Sequence, residues 1–168
     1  MSFKNVNLNS LDVVNPFKLI GEDWMLITSG DEKNFNTMTA SWGGLGVLWN
    51  KNVAFSFVRP QRYTFEFMEK SDTFSLCFFD DEYKGSLKIC GTKSGRNSDK
   101  VKEAGLNSFF EMGTPCFKEA KLILVCKKIY NQFIDPNCIV DESFNKNYEM
   151  KDYHKMFIGE IIKCMVRD

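Results

Sequence analysis

Apolar and polar residues alternate along several parts of this chain with the two-residue period of a β-strand. Alternating or continuous apolar runs between turn-forming residues predict strands. We place these strands at residues 24–29, 36–49, 53–58, 73–79, 121–130 and 156–166. An Asn-Lys-Asn turn separates the second strand from the third, so we expect these two to form a hairpin. In the last strand, Phe157, Gly159, Ile161 and Lys163 are expected on one face.

Three short helices are predicted between the strands. Thr64 can cap a helix over residues 65–70, and Ser98 can cap a helix over residues 99–104. A further short helix and its exit lie within residues 80–91. Strands and helices do not alternate regularly, which argues against a doubly wound parallel sheet. The order indicates a mainly β fold with short inserted helices, arranged as a closed or split antiparallel β-barrel.

Length and composition limit the class of protein. A chain of 168 residues favours a single domain over residues 1–168, with residues 1–15 as a loosely attached arm. Its 22 basic residues balance 22 acidic residues, which argues against a general surface for nucleic acid or anionic membranes. One histidine and six cysteines without a C-x-x-C pair argue against a zinc site. Without an apolar run of transmembrane length, we interpret the cysteines as reduced thiols of a cytoplasmic protein.

The segment from Asn36 to Gly44 is the most informative part of the chain. As an extended strand, it would present one face with the hydroxyls of Thr37, Thr39 and Ser41 and another with Asn36, Met38, Ala40 and Trp42. The two glycines that follow allow the backbone to approach another group closely. This combination suits a flat ligand with polar edges, such as an isoalloxazine ring. The alternative is a half-exposed strand in which Thr and Ser have no special role.

Two basic segments are candidates for holding a phosphate group. Arg59 and Arg62 lie at a strand-to-helix turn beside the hydroxyl of Thr64, and residues 93–100 form a basic, glycine-containing loop that opens a helix. Guanidinium groups, hydroxyls and backbone N–H groups at a helix start all suit phosphate oxygens. Together the two segments could hold one phosphate or diphosphate. The alternative for each segment is a solvated turn.

The only histidine, His154, lies at the start of the last predicted strand. An imidazole at this position could donate to a bound ring, steer a nicotinamide or transfer a proton near neutral pH. A surface or packing role is the alternative. The chain contains no G-x-G-x-x-G, no G-x-x-x-x-G-K-[ST] and no G-x-S-x-G motif, which argues against a Rossmann site, a P-loop and a hydrolase nucleophile.

Four segments resemble, in their order, the flavin reductase-like family with the FMN-binding split-barrel fold, and most of all its flavoredoxin-type branch. These segments are Asn36 to Gly43, Arg59 to Thr64, Cys90 to Lys100 and His154 to Glu160. The resemblance covers most of the chain from about Pro16 onward. One departure is Asn97, where related sequences often carry an acidic residue.

The resemblance implies a homodimer of split barrels that binds FMN near the subunit interface. It implies that Asn36 to Trp42 contact the isoalloxazine ring and the ribityl chain, and that Arg62, Thr64, Ser94 and Lys100 contact the phosphate end. His154 is the candidate catalytic residue, near the flavin or the approach of the nicotinamide. The full set of implied cofactor-binding residues is Asn36, Thr37, Met38, Thr39, Ala40, Ser41, Trp42, Arg59, Arg62, Tyr63, Thr64, Ser94 and Lys100.

The function implied by the resemblance is an FMN-dependent oxidoreductase that uses NADH or NADPH to reduce flavin or another acceptor. FMN is preferred over FAD as the expected cofactor, and flavin chemistry requires no protein nucleophile. One alternative is a flavoredoxin-type electron carrier that exchanges electrons with a protein partner. An alternative of another class is a non-catalytic split-barrel module that binds a ligand. The expected partners are flavin and nicotinamide nucleotide, without a metal ion, nucleic acid or membrane.

Overall fold

The computed structural model describes residues 2–8 and 15–168 of the chain. The strands within these residues are β1 (Phe3–Asn5), β2 (Met25–Gly30), β3 (Phe35–Ala40), β4 (Gly43–Leu48), β5 (Lys51–Val58), β6 (Thr73–Phe78), β7 (Ser108–Glu111), β8 (Thr114–Phe117), β9 (Leu122–Phe133) and β10 (Lys155–Arg167). The α-helices are α1 (Tyr63–Lys70), α2 (Lys84–Thr92) and α3 (Lys100–Glu103). A π-helix covers Phe17–Glu22, and 3₁₀-helices cover Asp81–Tyr83, Pro136–Cys138 and Glu142–Tyr148. Across residues 2–8 and 15–168, no helix combines the length and the apolar character needed to span a bilayer.

One antiparallel sheet dominates the structure. Its strands follow the order β3-β2-β6-β9-β10-β5-β4, and β1 pairs with the end of β10. β7 and β8 form a separate hairpin. Because β3 and β4 follow each other in the chain but lie at opposite ends of this order, the sheet is a barrel that is split between them. The predicted mainly β, split antiparallel barrel is confirmed.

The predicted strand over residues 36–49 is two strands. β3 pairs with β2, whereas β4 pairs with β5. The chain leaves the first pairing at Ser41 and Trp42, which belong to neither strand. The predicted hairpin is therefore correct only for β4 and β5. Its turn contains Trp49 and Asn50, whose φ angles are positive at 51° and 58°.

The two faces of the sheet pack against separate hydrophobic clusters. Neighbouring residues of β2 show the division, since Ile27 packs inside the barrel and Leu26 packs outside it. The inner cluster contains the fully buried rings of Phe74 and Phe157 and is closed by Met68 of α1. The outer cluster is covered by α2, α3 and the β7–β8 hairpin. The barrel wall is therefore buried on both faces near its centre.

The prediction for the last strand is correct only up to Ile161. Phe157 and Ile161 both pack in the inner cluster, but the register between β10 and β9 shifts between Ile161 and Lys163. An irregularity of this kind changes which residues share a face. Cys164 therefore continues the inner face, and Lys163 forms an ion pair with Glu111 at 2.5 Å.

The residues that begin the chain are more firmly attached than the sequence predicts. Phe3–Asn5, which we assigned to a loose arm, pair with the end of β10. The ring of Phe3 stacks on Phe109, with 5.6 Å between the ring centroids. An aromatic contact of this type fixes a short strand that backbone pairing alone would hold weakly. Residues 1 and 9–14 of the predicted arm lie outside the described residues.

The predicted caps of two helices are wrong. Thr64 lies inside the first turn of α1, and its hydroxyl accepts a hydrogen bond from Nδ2 of Asn36 at 2.8 Å. Asp99, rather than Ser98, caps α3, because its carboxylate accepts from the backbone N–H of Lys102 at 3.1 Å. The negative charge of Asp99 also favours the start of a helix.

Candidate functional site

A cavity of about 240 Å³, which we call the Trp42 cavity, opens where the chain leaves β3. It is lined by Met38, Thr39, Ala40, Ser41, Trp42, Phe57, Arg59, Arg62, Gly91 and His154. The sequence predicts every one of these residues as a site residue except Phe57 and Gly91. The fold therefore brings the polar segment, the first basic turn and the only histidine of the chain to one place.

The hydroxyls of the polar segment are not equally available to a ligand. Thr37 is fully buried, and its hydroxyl lies 2.8 Å from the hydroxyl of Thr28 on β2. The hydroxyl of Thr39 donates to the backbone carbonyl of Leu87 on α2. Ser41, in contrast, makes no side-chain hydrogen bond within the described residues. Of the three predicted hydroxyls, Ser41 is the one left for a ligand.

Asn36 connects β3 to both basic segments instead of lining the Trp42 cavity. It is 5% exposed and donates to the hydroxyl of Thr64. A Cβ placed on Gly95 would lie only 2.2 Å from Oδ1 of Asn36, so glycine is needed there for the basic loop to approach β3. Asn36 therefore sets the position of the loop relative to α1.

Asn36, Gly95 and Lys100 line a second, larger and open cavity of about 930 Å³. The buried hydroxyl of Ser98, which has no hydrogen-bond partner in the described residues, also belongs to this region. Ser94 lines neither of these two cavities, and its hydroxyl accepts a hydrogen bond from the backbone N–H of Arg96 at 3.3 Å. Of the predicted phosphate residues of the loop, only Lys100 therefore lines one of these two cavities, and it is the second one.

Two of the predicted arginines are engaged with other residues of the protein. Arg59 forms an ion pair with Asp152 and donates to the backbone carbonyl of Asn147 at 2.9 Å. Arg96 pairs with Glu66 and lies over the ring of Tyr63, with 4.7 Å from its guanidinium carbon to the ring centroid. Their charges are therefore compensated without a ligand.

Arg62 and Lys100 have no carboxylate partner among the described residues. Lys100 is only 4% exposed and donates to the backbone carbonyls of Cys90 at 3.2 Å and Lys93 at 3.3 Å. Burial lowers the pKa of Lys100 to about 8; the nearby Cys90 thiol acts in the opposite direction, and the positive charge of Arg62 adds a smaller lowering effect. Burial also lowers the pKa of Arg62. The site therefore contains two neighbouring cations without a counter-ion.

His154 forms one side of the Trp42 cavity. It is 8% exposed, and its ring centroid lies 5.0 Å from that of Trp42. Its Nδ1 is 3.0 Å from the hydroxyl of Tyr148. Burial and then the charge of Arg59 lower the pKa of His154 to about 4, against the opposing effect of Asp152. The imidazole is consequently neutral at pH 7.

A comparison with protein families identifies the domain on which this site is built. Residues 18–168 match the family model described as flavin reductase like domain. The chain belongs to this family. No curated protein matches the chain in sequence.

Solved structures share the fold of this flavin reductase-like domain at low sequence identity. A flavoredoxin from Methanosarcina acetivorans is 20% identical, with a TM-score of 0.70 over 98% of this chain and 76% of that one. An FMN-binding protein from Thermus thermophilus with bound p-hydroxybenzaldehyde is 18% identical, with a TM-score of 0.70 over 97% and 79%. An NADH:FAD oxidoreductase from Streptomyces globisporus, in complex with NAD and FAD fragments, is 15% identical, with a TM-score of 0.64 over 86% and 74%.

Four residues near the site are absent from the sequence-based set. Phe57 and Gly91 line the Trp42 cavity of this flavin reductase-like domain, while Tyr148 and Asp152 contact His154 and Arg59. Phe57 ends an alternating strand and Gly91 follows Cys90 in a segment that the family resemblance includes, so both carried a weak signal. Tyr148 and Asp152 lie in a segment without periodicity, and only their closeness to His154 in sequence could have suggested them.

Proposed function

We propose that this chain binds FMN with its ring in the Trp42 cavity and its phosphate end between Arg62 of that cavity and Lys100 of the second cavity. We further propose that it transfers hydride from NADH or NADPH to free flavin or another acceptor. Membership of the flavin reductase-like family supports flavin as the cofactor class. The observation that carries the proposal for FMN is the pair of Arg62 and Lys100, which lack a counter-ion in the described residues. A phosphate group would supply the missing negative charge and accept hydrogen bonds from both side chains.

Other residues of the Trp42 cavity fit the remaining parts of FMN. Trp42 is 45% exposed and offers an aromatic face or edge to a planar ring. Ser41 offers a hydroxyl that has no partner within the described residues. Gly91 allows α2 to pack closely against β3 at this cavity, since a Cβ there would lie 3.2 Å from Cβ of Thr39. The cavity therefore combines a flat apolar surface with polar groups at its edge, as small-molecule sites commonly do.

The chain's own residues would position the reactants rather than react with them. When bound, FMN supplies a ring that accepts and donates hydride, so the reaction needs no protein nucleophile. Arg62 and Lys100 would hold the phosphate end, and Trp42 would limit access of water to one side of the ring. His154 would present an uncharged imidazole to a ligand, because its pKa of about 4 leaves it neutral at pH 7.

Electron carriage of the flavoredoxin type is a second candidate function. The fold similarity to a flavoredoxin supports it, as do exposed aromatic side chains that a protein partner could cover. Tyr130 is 37% exposed, Phe133 is 47% exposed and Trp49 is 62% exposed. A carrier would also need its flavin close to the surface, and the half-exposed Trp42 would allow this.

We also propose that residues 1–168 form one domain that acts as a homodimer in the cytoplasm. In the described sheet, β4 is an end strand that pairs only with β5, and Val47 on it is 71% exposed. A second copy would remove this apolar edge from water. All six cysteines are free, which supports a reducing compartment. Light scattering coupled to size-exclusion chromatography tests the dimer.

Anaerobic stopped-flow mixing of the FMN-loaded chain with NADH and, separately, NADPH distinguishes the candidate functions. A reductase predicts rapid loss of flavin absorbance with at least one nucleotide. A carrier predicts no rapid loss with either nucleotide but full reduction by dithionite. A chain that binds no FMN would contradict both, and a non-catalytic ligand-binding module would then be the better description.

A further inference from the structure

The imidazole of His154 has one nitrogen engaged within the protein and one that is not. Nδ1 lies 3.0 Å from the hydroxyl of Tyr148, a residue that ends the helical turn Glu142–Tyr148 and is 7% exposed. Nε2 makes no hydrogen bond to any described residue, although the ring lines the Trp42 cavity. Nε2 is therefore the nitrogen that remains for a ligand.

The surroundings of Tyr148 indicate which atom carries the proton. Nδ1 of His154 is the only hydrogen-bond partner that the hydroxyl of buried Tyr148 has among the described residues. Burial raises the pKa of Tyr148, so the phenol keeps its own proton at neutral pH. A buried O–H group needs an acceptor, and Nδ1 is the one within reach, so the phenol donates to Nδ1. If Nδ1 accepts, the proton of a neutral imidazole must be on Nε2.

The ring of Tyr148 is restrained by two further side chains. Tyr153 packs against it with 4.7 Å between the ring centroids, and the guanidinium of Arg59 lies 5.5 Å from the centroid. Arg59 is in turn fixed by its ion pair with Asp152. Side chains restrained in this way can fix the orientation of a neighbour as well as its protonation.

We propose that Tyr148 is a positioning residue that fixes His154 as the Nε2–H tautomer, so that the Trp42 cavity presents one N–H donor to a carbonyl oxygen on a planar ligand. The part of this inference that concerns the ligand rests on the proposed function. The carbonyl could belong to the isoalloxazine ring of FMN, to the carboxamide of a nicotinamide nucleotide or to an acceptor substrate. All three sources offer the same chemistry, a carbonyl oxygen on or next to a flat ring beside Trp42.

Two charged groups near His154 could also influence its protonation. Arg59 and Asp152 have opposing effects on its protonation, and the ion pair between them limits the net effect. Trp42 and Phe57, the other aromatic residues of the cavity, carry no titratable group. The tautomer is therefore decided by the hydrogen bond from Tyr148 rather than by a neighbouring charge.

Nitrogen-15 NMR of the untagged, flavin-free chain tests the tautomer. The sequence contains one histidine, so all imidazole signals belong to His154. We expect Nε2 to be protonated and Nδ1 unprotonated at pH 7. Tyr148→Phe should convert this pattern into a mixture of tautomers, whereas Tyr153→Phe, which removes a hydroxyl from the stacked ring, should leave it unchanged. A proton on Nδ1 in the wild type, or an unchanged pattern in Tyr148→Phe, would overturn the proposal.

Kinetics of the FMN-loaded Tyr148→Phe variant identify the source of the carbonyl. We expect its KM to rise about five-fold, the usual effect of weakening one neutral hydrogen bond, for whichever molecule His154 contacts. A rise for NADH indicates the nicotinamide, and a rise for 2-cyclohexen-1-one at fixed NADH indicates the acceptor. A similar rise in the FMN dissociation constant, with both KM values unchanged, indicates a carbonyl of the isoalloxazine ring. No change in either KM value or in the FMN dissociation constant would overturn the carbonyl contact, while a failure of the wild type to bind FMN would contradict the proposed function and leave the NMR test standing.

Discussion

Arg62 lies close enough to Lys100 for its positive charge to lower the pKa of the lysine, and neither side chain has an ion-pair partner in the described part of the chain. Like charges that are partly removed from water repel each other and raise the free energy of the flavin-free protein. A phosphate dianion would reverse this effect by compensating both charges. Removing one of the two charges should therefore weaken binding of a phosphorylated ligand without destabilising the fold.

The first prediction concerns Arg62→Gln. We expect it to weaken FMN binding about 10- to 100-fold, since a hydrogen bond to a charged group contributes roughly 1.5–3 kcal/mol. Riboflavin has the same ring without the phosphate, so its affinity should not change. The free energy of unfolding of the flavin-free protein should stay the same or increase slightly. Quenching of flavin fluorescence measures both affinities.

Arg96→Gln is the matched control for this experiment. Its guanidinium is exposed and already paired with Glu66, so we expect FMN affinity close to that of the wild type. Equal losses of FMN affinity in the two variants would show that general positive charge, rather than the pair at Arg62 and Lys100, is responsible.

The second prediction follows from the pKa of Lys100, which is lowered to about 8 mainly by burial. As the pH rises through this value, the lysine loses its charge and the attraction for phosphate decreases. FMN affinity should therefore fall between pH 7 and pH 9, whereas riboflavin affinity should not. In Arg62→Gln the fall should move to higher pH, because the repulsion that lowers the pKa of Lys100 has been removed. Parallel pH profiles for FMN and riboflavin would contradict the assignment of Lys100.

The third prediction concerns stability in mild acid. The pKa of His154 is about 4 in the folded protein, against about 6.5 for an unfolded histidine. Between these values the unfolded state binds a proton that the folded state does not, so the free energy of unfolding decreases as the pH falls. By pH 5 the decrease should be about 2 kcal/mol relative to pH 7.

Urea denaturation of the wild type and His154→Gln measures this effect. The variant lacks the titrating group, so the difference in unfolding free energy between the two proteins should change with pH by about 2 kcal/mol over the same range. A constant difference between pH 7 and pH 5 would mean that His154 is solvated and titrates normally in the folded state.

The fourth prediction concerns Gly159, where β10 crosses the inner core. A Cβ at this position would lie 2.7 Å from Cβ of Cys126 and from a ring carbon of Phe74. Gly159→Ala should therefore destabilise the protein by about 1–3 kcal/mol, as overpacking commonly does. Gly85→Ala in α2 meets no atom within 4 Å and should be neutral or stabilising by up to about 1 kcal/mol. Thermal unfolding compares the two variants, and equal melting temperatures would contradict the packing described for β10.

The sequence was a good guide to the fold, because alternation identified the main strands. The resemblance implied that Ser41, Trp42, Arg62 and His154 lie near one cofactor, and the fold brings these four residues to one cavity. The sequence was a poorer guide where a residue's role depends on a distant partner. Thr64 had the chemistry of a helix cap, but Asn36 of β3 uses its hydroxyl.

Long-range contacts also decide which of the arginines in the two basic segments lacks a carboxylate partner in the described residues. Arg59, Arg62 and Arg96 have equivalent chemistry in the sequence, and only the fold distinguishes them. Arg59 meets Asp152, more than ninety positions away, and Arg96 meets Glu66, while Arg62 meets no carboxylate in the described residues. Tyr148 lies in a segment without periodicity, so its contact with His154 could not be predicted from a pattern.

Equilibrium titration of the purified chain with FMN, and in parallel with riboflavin, tests the proposed phosphate-dependent flavin site. Quenching of flavin fluorescence should saturate at one FMN per chain, with riboflavin binding at least about ten-fold more weakly because Arg62 and Lys100 lose their anion. Equal affinity for the two flavins, or no saturable binding of FMN, would contradict the site described at the Trp42 cavity.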